Sequence, residues 1–310
     1  MNKAQPVFII YAPRYDDTSG GSIVLHKLCH LINLLGEKAY LWPMGKPLYP
    51  QSPLLPWFAK AIAYYLSRIY RKNYSFRQDF LTPLWYRKDI SKAVIIYPEI
   101  IDGNPLGANF VVRWLLNKPG FFSDSFHYSK TDMFFYYQDA FLEPNLQMIN
   151  GGQLFVIEFF RDIYWKWNHA QREDSCYIIR KGKSRSDLPK LKNLVVVDGL
   201  SHKQTANVFN RCKYCFSYDL HTMYMTYSAL CGCIPVVVPL NGISKEEWQP
   251  VEKYRYGIAY GLDNVDYALS TRDLLLSRIH DDEKENLEMV SRFISVVNSN
   301  FNISNDPLGI

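Results

Sequence analysis

Short apolar runs recur along this chain, each closed by a polar, glycine or proline break. Val7-Phe8-Ile9-Ile10-Tyr11 is the first, and a run this short and uniformly apolar predicts a buried parallel strand. A polar loop with Asp16, Asp17, Ser19, Gly20, Gly21 and Ser22 follows. Ile23, Leu25, Leu28, Cys29, Leu31, Ile32 and Leu35 then recur at helical spacing, and Gly36 ends that helix. Ala39–Trp42 is the next strand, so the chain opens as strand, loop, helix, strand, with a glycine pair at the helix start. Further on, 93–97 reads as a strand, 109–116 as a helix stopped by Asn117-Lys118-Pro119-Gly120, and 133–137 and 153–157 as strands.

A second series begins with strands at 175–179 and 194–197. A helix follows over about 201–211, with Ser201 as N-cap, then a strand at 214–217. Phe216-Ser217-Tyr218-Asp219 leads through His221 and Thr222 into a helix at 223–230, a tight turn and the buried strand Ile234-Pro235-Val236-Val237-Val238. Gly257–Tyr260 is the last strand, helices over 265–279 and 281–299 close the pattern, and a polar tail runs from Asn300. Strands alternating with helices in both halves predict an α/β protein with helix-covered parallel sheets. At 310 residues two domains are expected. We place them at 1–160 and 161–310, both Rossmann-like and facing across a cleft, with the last helix packing back on the first domain.

Composition adds little to the fold and something to the setting. With 48% hydrophobic and 21% charged residues the chain reads as soluble and globular. No secretory leader pattern and no long apolar span is visible, so a cytoplasmic location with six reduced cysteines is expected. No nucleic-acid partner is expected. The net charge of +5 is uneven: seven Lys and Arg lie between Leu54 and Lys88 against Asp79 alone. Ten aromatic residues, Trp57 to Tyr86, share that stretch. A basic, aromatic segment of this kind fits peripheral contact with a membrane, or an inserted helical hairpin whose aromatics pack on the domain while its arginines face water.

Candidate chemistry lies where polar loops follow apolar strands, the edge at which parallel α/β sheets bind ligands. Arg180, Lys181 and Lys183 surround a glycine directly after a strand, where cations neutralise a diphosphate or simply face water. Asp219 can accept from ribose or sugar hydroxyls, and His221 and Thr222 lie beside it. The bland alternative makes Asp219 or Thr222 the N-cap of the helix that follows. Gly20, Gly21 and Ser22 do not make Gly-x-Gly-x-x-Gly, and read as room for a ligand to approach the backbone. Asp16, Asp17, His26, Glu99 and Asp102 are the general-base candidates of the first half, with His26 also readable as a packed helix residue. Cys212-x-x-Cys215 and Cys231-x-Cys233 overlap apolar segments, so no metal and no cofactor are expected.

The N-terminal strand–Gly-Gly–helix together with Ala229-Leu230-Cys231-Gly232-Cys233-Ile234-Pro235-Val236-Val237-Val238 resembles the two-domain GT-B glycosyltransferases. Tyr97-Pro98-Glu99, Gly103–Leu106 and Arg113-Trp114 resemble bacterial or viral polysaccharide transferases of that kind. The resemblance implies a metal-independent enzyme moving a sugar from a nucleotide sugar to a glycan or lipid-linked acceptor. By it, Arg180 and Lys183 match the basic pair on the donor diphosphate; if the reaction inverts, Glu99, Asp17 or His26 would deprotonate the acceptor. The chain departs from the retaining members, whose two glutamates lie eight residues apart: Asp219 stands near the first position and Ser228 near the second. Stereochemistry is therefore left open. A nucleotide-sugar epimerase of the same architecture and a non-catalytic membrane or partner-binding module are the other classes to test.

Overall fold

A computed structural model describes residues 6–44, 74–86, 89–121, 126–143, 146–190, 192 and 194–301. The fold is α/β with two parallel sheets. The chain divides into two compact units, residues 1–158 with 283–310, and 159–282.

The first unit holds a six-stranded sheet of β1 (Val7–Ala12), β2 (Lys38–Pro43), β3 (Ala93–Pro98), β4 (Phe110–Leu115), β5 (Met133–Tyr136) and β6 (Ile149–Gln153). Their order is β2-β1-β3-β4-β5-β6, and every pairing is parallel. Strand alternation divides the core between the two faces. Phe8, Ile10, Val94 and Ile96 pack on one side with α1 (Gly20–Leu34) and with Phe293 and Val297 of the last helix. Ile9, Tyr11, Ile95 and Tyr97 pack on the other with Trp85 and Leu106. A parallel strand covered on both faces must be apolar throughout, and β3 is buried at every residue. Helix α1 starts because the Ser19 side chain accepts from the Ser22 amide, and it stops at Gly36, whose φ of +83° favours glycine.

The second unit holds β7 (Ser175–Ile178), β8 (Val195–Val196), β9 (Tyr214–Ser217), β10 (Ile234–Val237) and β11 (Ala259–Tyr260). The order is β11-β10-β9-β7-β8, again parallel throughout. Helix α2 (His202–Arg211) begins with a full capping box between Ser201 and Gln204. The helices α3 (Tyr224–Leu230), α4 (Lys245–Trp248) and α5 (Val265–Ser270) follow, and then α6 (Arg272–Asn300).

Three expectations are corrected. The helix expected at 109–116 is instead strand β4, Phe110–Leu115. Val111 and Val112 are β-branched, and the run pairs with β3 and β5 on its two sides. The strand expected at 153–157 lies earlier, at Ile149–Gln153. It contains Gly151 and Gly152, and a Cβ on Gly151 would run into the Phe135 ring. The terminal helices break at Thr271 rather than near residue 280. There the Thr271 hydroxyl donates to Tyr267 O and accepts from Gly257 N, while His280 interrupts nothing.

Of the basic aromatic insert, residues 54–73, 87 and 88 lie outside the described residues, and the membrane contact expected of 54–88 with them. Its last stretch packs on the first unit. The Tyr74 hydroxyl donates to Pro13 O at 2.6 Å, Arg77 meets Glu158 at 3.0 Å, and Phe80 stacks on His30. Among the described residues no helix is long and apolar enough to cross a membrane.

Candidate functional site

Each sheet presents a carboxyl edge, and the sequence-predicted residues divide between the two. On the second sheet, β7 runs out through Ile179 into Arg180, whose φ is +39°, and the chain turns through a 3-10 segment, Arg180–Ser184. A left-handed backbone at a non-glycine residue is strained and needs support. Asp198 supplies it, accepting the amides of Ile179 at 3.1 Å and Arg180 at 2.6 Å. Gly182 lies against the Tyr218 backbone so closely that a Cβ would collide with the Tyr218 carbonyl. The turn after β7 and the loop after β9 are thus locked together.

That lock brings Arg180 and Asp219 to one place. Asp219 is 3% exposed; its Oδ1 accepts the His221 amide at 3.2 Å, and its Oδ2 is buried with no hydrogen-bond partner. Arg180 Nε stands 3.9 Å from that oxygen, beyond hydrogen-bond reach, and its guanidinium lies 4.9 Å over the Tyr224 ring. Lys181, Lys183 and His221 are exposed beside them. Thr222 Oγ1 accepts the Tyr224 amide at 3.3 Å, closing a local turn ahead of α3, whose N-cap is Met223. Beneath lies a buried aromatic layer in which Tyr164 stacks on Tyr227 at 4.2 Å and bonds His202 Nδ1 at 2.7 Å.

Arg185, in the loop that follows Lys183, is a structural tie. Its guanidinium donates to Val238 O and Pro239 O, each at 2.9 Å, and pairs with Asp187, which holds its pKa above the ordinary value. It therefore stitches the loop after β7 to the end of β10. Asp198 was also missed, although an acid directly after the apolar run Leu194–Val197 was a readable signal.

On the first sheet the predicted residues scatter. His26 is fully buried, with Nε2 2.9 Å from Pro13 O, and burial pushes its pKa down to about 4. That is the packed-helix alternative, with this imidazole turned into the protein. Asp16 accepts the Thr18 amide and hydroxyl, bonds that hold its pKa low and close the loop. Asp17 is exposed. Ser22 Oγ donates to Arg14 O and accepts the Asp16 amide. A Cβ on Gly20 would meet nothing within 4 Å, and one on Gly21 only Leu116 at 3.8 Å, so packing does not require either glycine.

Glu99 directly follows β3 and is 7% exposed. Its Oε2 accepts the Leu116 amide at 3.0 Å, and burial pushes its pKa up to about 7. Asp102, in the same loop, pairs with exposed His127 at 3.1 Å.

All six cysteines are buried, Cys29 in α1 of the first unit and Cys176, Cys212, Cys215, Cys231 and Cys233 in the second unit. Burial raises the Cys215 thiol, and raises Cys231 to about 12, so both stay protonated and poor as ligands. Among the described residues no group of three or more His, Cys, Asp or Glu is arranged to hold a metal ion.

No family profile matches the chain, and no curated protein matches it. Among solved structures it is similar to sucrose-phosphate synthase from Thermosynechococcus elongatus, at 8% identity and a TM-score of 0.40 over 96% of this chain and 95% of that one. It is also similar to SsfS6, a glycosyltransferase of Streptomyces sp. SF2575, at 12% identity and a TM-score of 0.28 over 96% of each. Likeness at that level leaves the chemistry to be read from this chain's own side chains.

Proposed function

We propose that the protein is a glycosyltransferase that takes a sugar from a nucleotide-sugar donor and passes it to a glycan or lipid-linked glycan. The observation that carries the reading is the buried, unpartnered Oδ2 of Asp219 beside Arg180 at the carboxyl edge of a parallel sheet. A buried carboxylate oxygen without a donor is costly, and a hydroxyl of ribose or sugar satisfies it. The cations beside it suit the other end of such a ligand. Arg180, Lys181 and Lys183 would neutralise the diphosphate as the bond to the sugar breaks, each charge-assisted bond contributing about 1.5–3 kcal/mol. This charge arrangement does the work that a bound metal does elsewhere, so the reading includes transfer without one.

Isothermal titration with UDP, GDP, dTDP and CMP tests it. At least one is expected to bind in the micromolar to millimolar range, and Arg180→Ala is expected to weaken that binding about tenfold or more. Absence of binding across all four would remove the reading.

A further inference from the structure

A second concave site lies wholly within the second unit, where α4, the 3-10 turn Glu252–Tyr254, β11 and α5 meet. Its volume is about 160 Å³. Sites for drug-sized ligands run to roughly 300–1,000 Å³, so this one takes a single small ring and not a nucleotide. None of Arg180, Lys181, Lys183, Asp219, His221 or Thr222 lines it.

One wall is apolar. Trp248, 7% exposed, stacks on the Tyr260 ring at 5.1 Å, and Ile258 shares the lining. Each aromatic is held by its polar end. Trp248 Nε1 donates to Leu220 O at 2.7 Å, and the Tyr260 hydroxyl donates to Ile243 O at 2.7 Å. The rings are thus fixed before a ligand arrives.

Charge around that wall cancels. Lys245 and Arg255 line the pocket together with Glu246 and Glu252, two cations against two carboxylates. Arg255 Nη1 stands 3.3 Å from Glu246 Oε1, yet this nitrogen is buried and makes no hydrogen bond. Neither does the buried Tyr267 hydroxyl. Burial raises the Tyr267 pKa, so that hydroxyl keeps its proton and stays a donor. Buried donors without acceptors are costly, and a ligand oxygen relieves the cost.

These features select the chemistry of the occupant. Balanced charge favours a ligand with no net charge. Arg255 and Tyr267 ask for acceptors while Glu246 and Glu252 ask for donors, and a hydroxyl is both. The aromatic wall asks for an apolar ring face. We propose that this pocket binds one neutral pyranose, its C–H face against Trp248 and Tyr260 and its hydroxyls on Arg255, Tyr267 and the two carboxylates. An amino-acid zwitterion matches the charge but offers no ring face. The assignment stands or falls independently of glycosyl transfer, because its residues are not those of the nucleotide site.

Saturation-transfer NMR and isothermal titration with the methyl pyranosides of glucose, galactose, mannose, rhamnose and N-acetylglucosamine test it. At least one is expected to bind in the roughly millimolar range, the affinity open to a ligand of that size. Tyr267→Phe and Arg255→Gln are each expected to weaken it about three- to tenfold, with the urea midpoint of Tyr267→Phe checking its fold. UDP, GDP, dTDP and CMP are expected not to displace the sugar. Displacement by any of them would put the sugar at the Arg180–Asp219 site and overturn the assignment. So would binding of none of the pyranosides, competition by glycine, or a signal unchanged in both variants. None of those results bears on whether Arg180→Ala weakens nucleotide binding, so the two readings fail separately.

Discussion

The carboxyl edges of the two sheets use charge in opposite ways. On the first, the buried ionic groups bond to the protein: Arg113 donates to two carbonyls and Asp132, and Glu99 accepts a backbone amide. On the second, Asp219 keeps one oxygen unpartnered and the guanidinium of Arg180 is 41% exposed. Charge bonded to backbone holds a loop in place, whereas charge left unbonded awaits a ligand. The first edge is therefore a mount, on which Asp102 and His127 stand outward. The second is a receptor.

The largest effect that separates them is expected at Arg113. Removing it as Arg113→Ala leaves Asp132, 4% exposed, with an uncompensated charge and frees the carbonyls of Ile101 and Gly103. Breaking one partner of a buried pair destabilises by about 3–5 kcal/mol, measurable by urea denaturation. Arg113→Lys is expected to recover only part of this, because one ammonium cannot reproduce the planar fork. Arg180→Ala, on the receptor edge, is expected to leave the denaturation midpoint nearly unchanged. Equal losses at the two arginines would erase the distinction.

A second difference shows in pH. Burial raises the Glu99 carboxyl from the ordinary 4.5 to about 7, so between those values the folded protein holds a proton that the unfolded chain has released. Its contribution to stability is complete below about 4.5 and is lost as pH rises through about 7, up to about 3 kcal/mol. His26 works the other way. Its folded pKa of about 4 lies below the ordinary 6.5, so its contribution grows as pH rises through that window. The quantity to measure is therefore the difference between wild type and Glu99→Gln. Wild type is expected to lose stability relative to the variant between pH 4.5 and 7, and parallel curves would show the carboxyl to be ordinary.

How much of this was legible in the sequence follows from what each feature depends on. The alternation of apolar runs and helical spacing is local, and it was enough for two parallel, helix-covered sheets. Strand β4 was misread because a six-residue apolar run carries no period that separates helix from strand; its partners on both sides decide it. The same misreading hid Arg113, since a lone arginine in a buried strand demands a partner and one on a helix does not. Arg180 and Asp219 could be placed near each other because each directly follows a strand, and β7 and β9 are neighbours. The pairing of Asp102 with His127 crosses 25 residues and rests on a loop geometry that no local spacing encodes.

The smallest of these effects is the most specific to the receptor edge. Gly182 has an ordinary φ, so its need for glycine is contact alone: its Cα faces the Tyr218 carbonyl with no room for a methyl group. Gly182→Ala must push the turn that carries Arg180 away from the loop that carries Asp219. Overpacking of this kind destabilises by about 1–3 kcal/mol. The more telling readout is nucleotide affinity, which depends on both loops holding one ligand at once. Gly182→Ala is expected to weaken it as much as Arg180→Ala does, without removing any charge. Gly20→Ala is the matched control, since a Cβ there meets nothing and stability should hold. If Gly182→Ala binds nucleotide like wild type, the two loops need no fixed spacing, and Arg180 and Asp219 do not form one site.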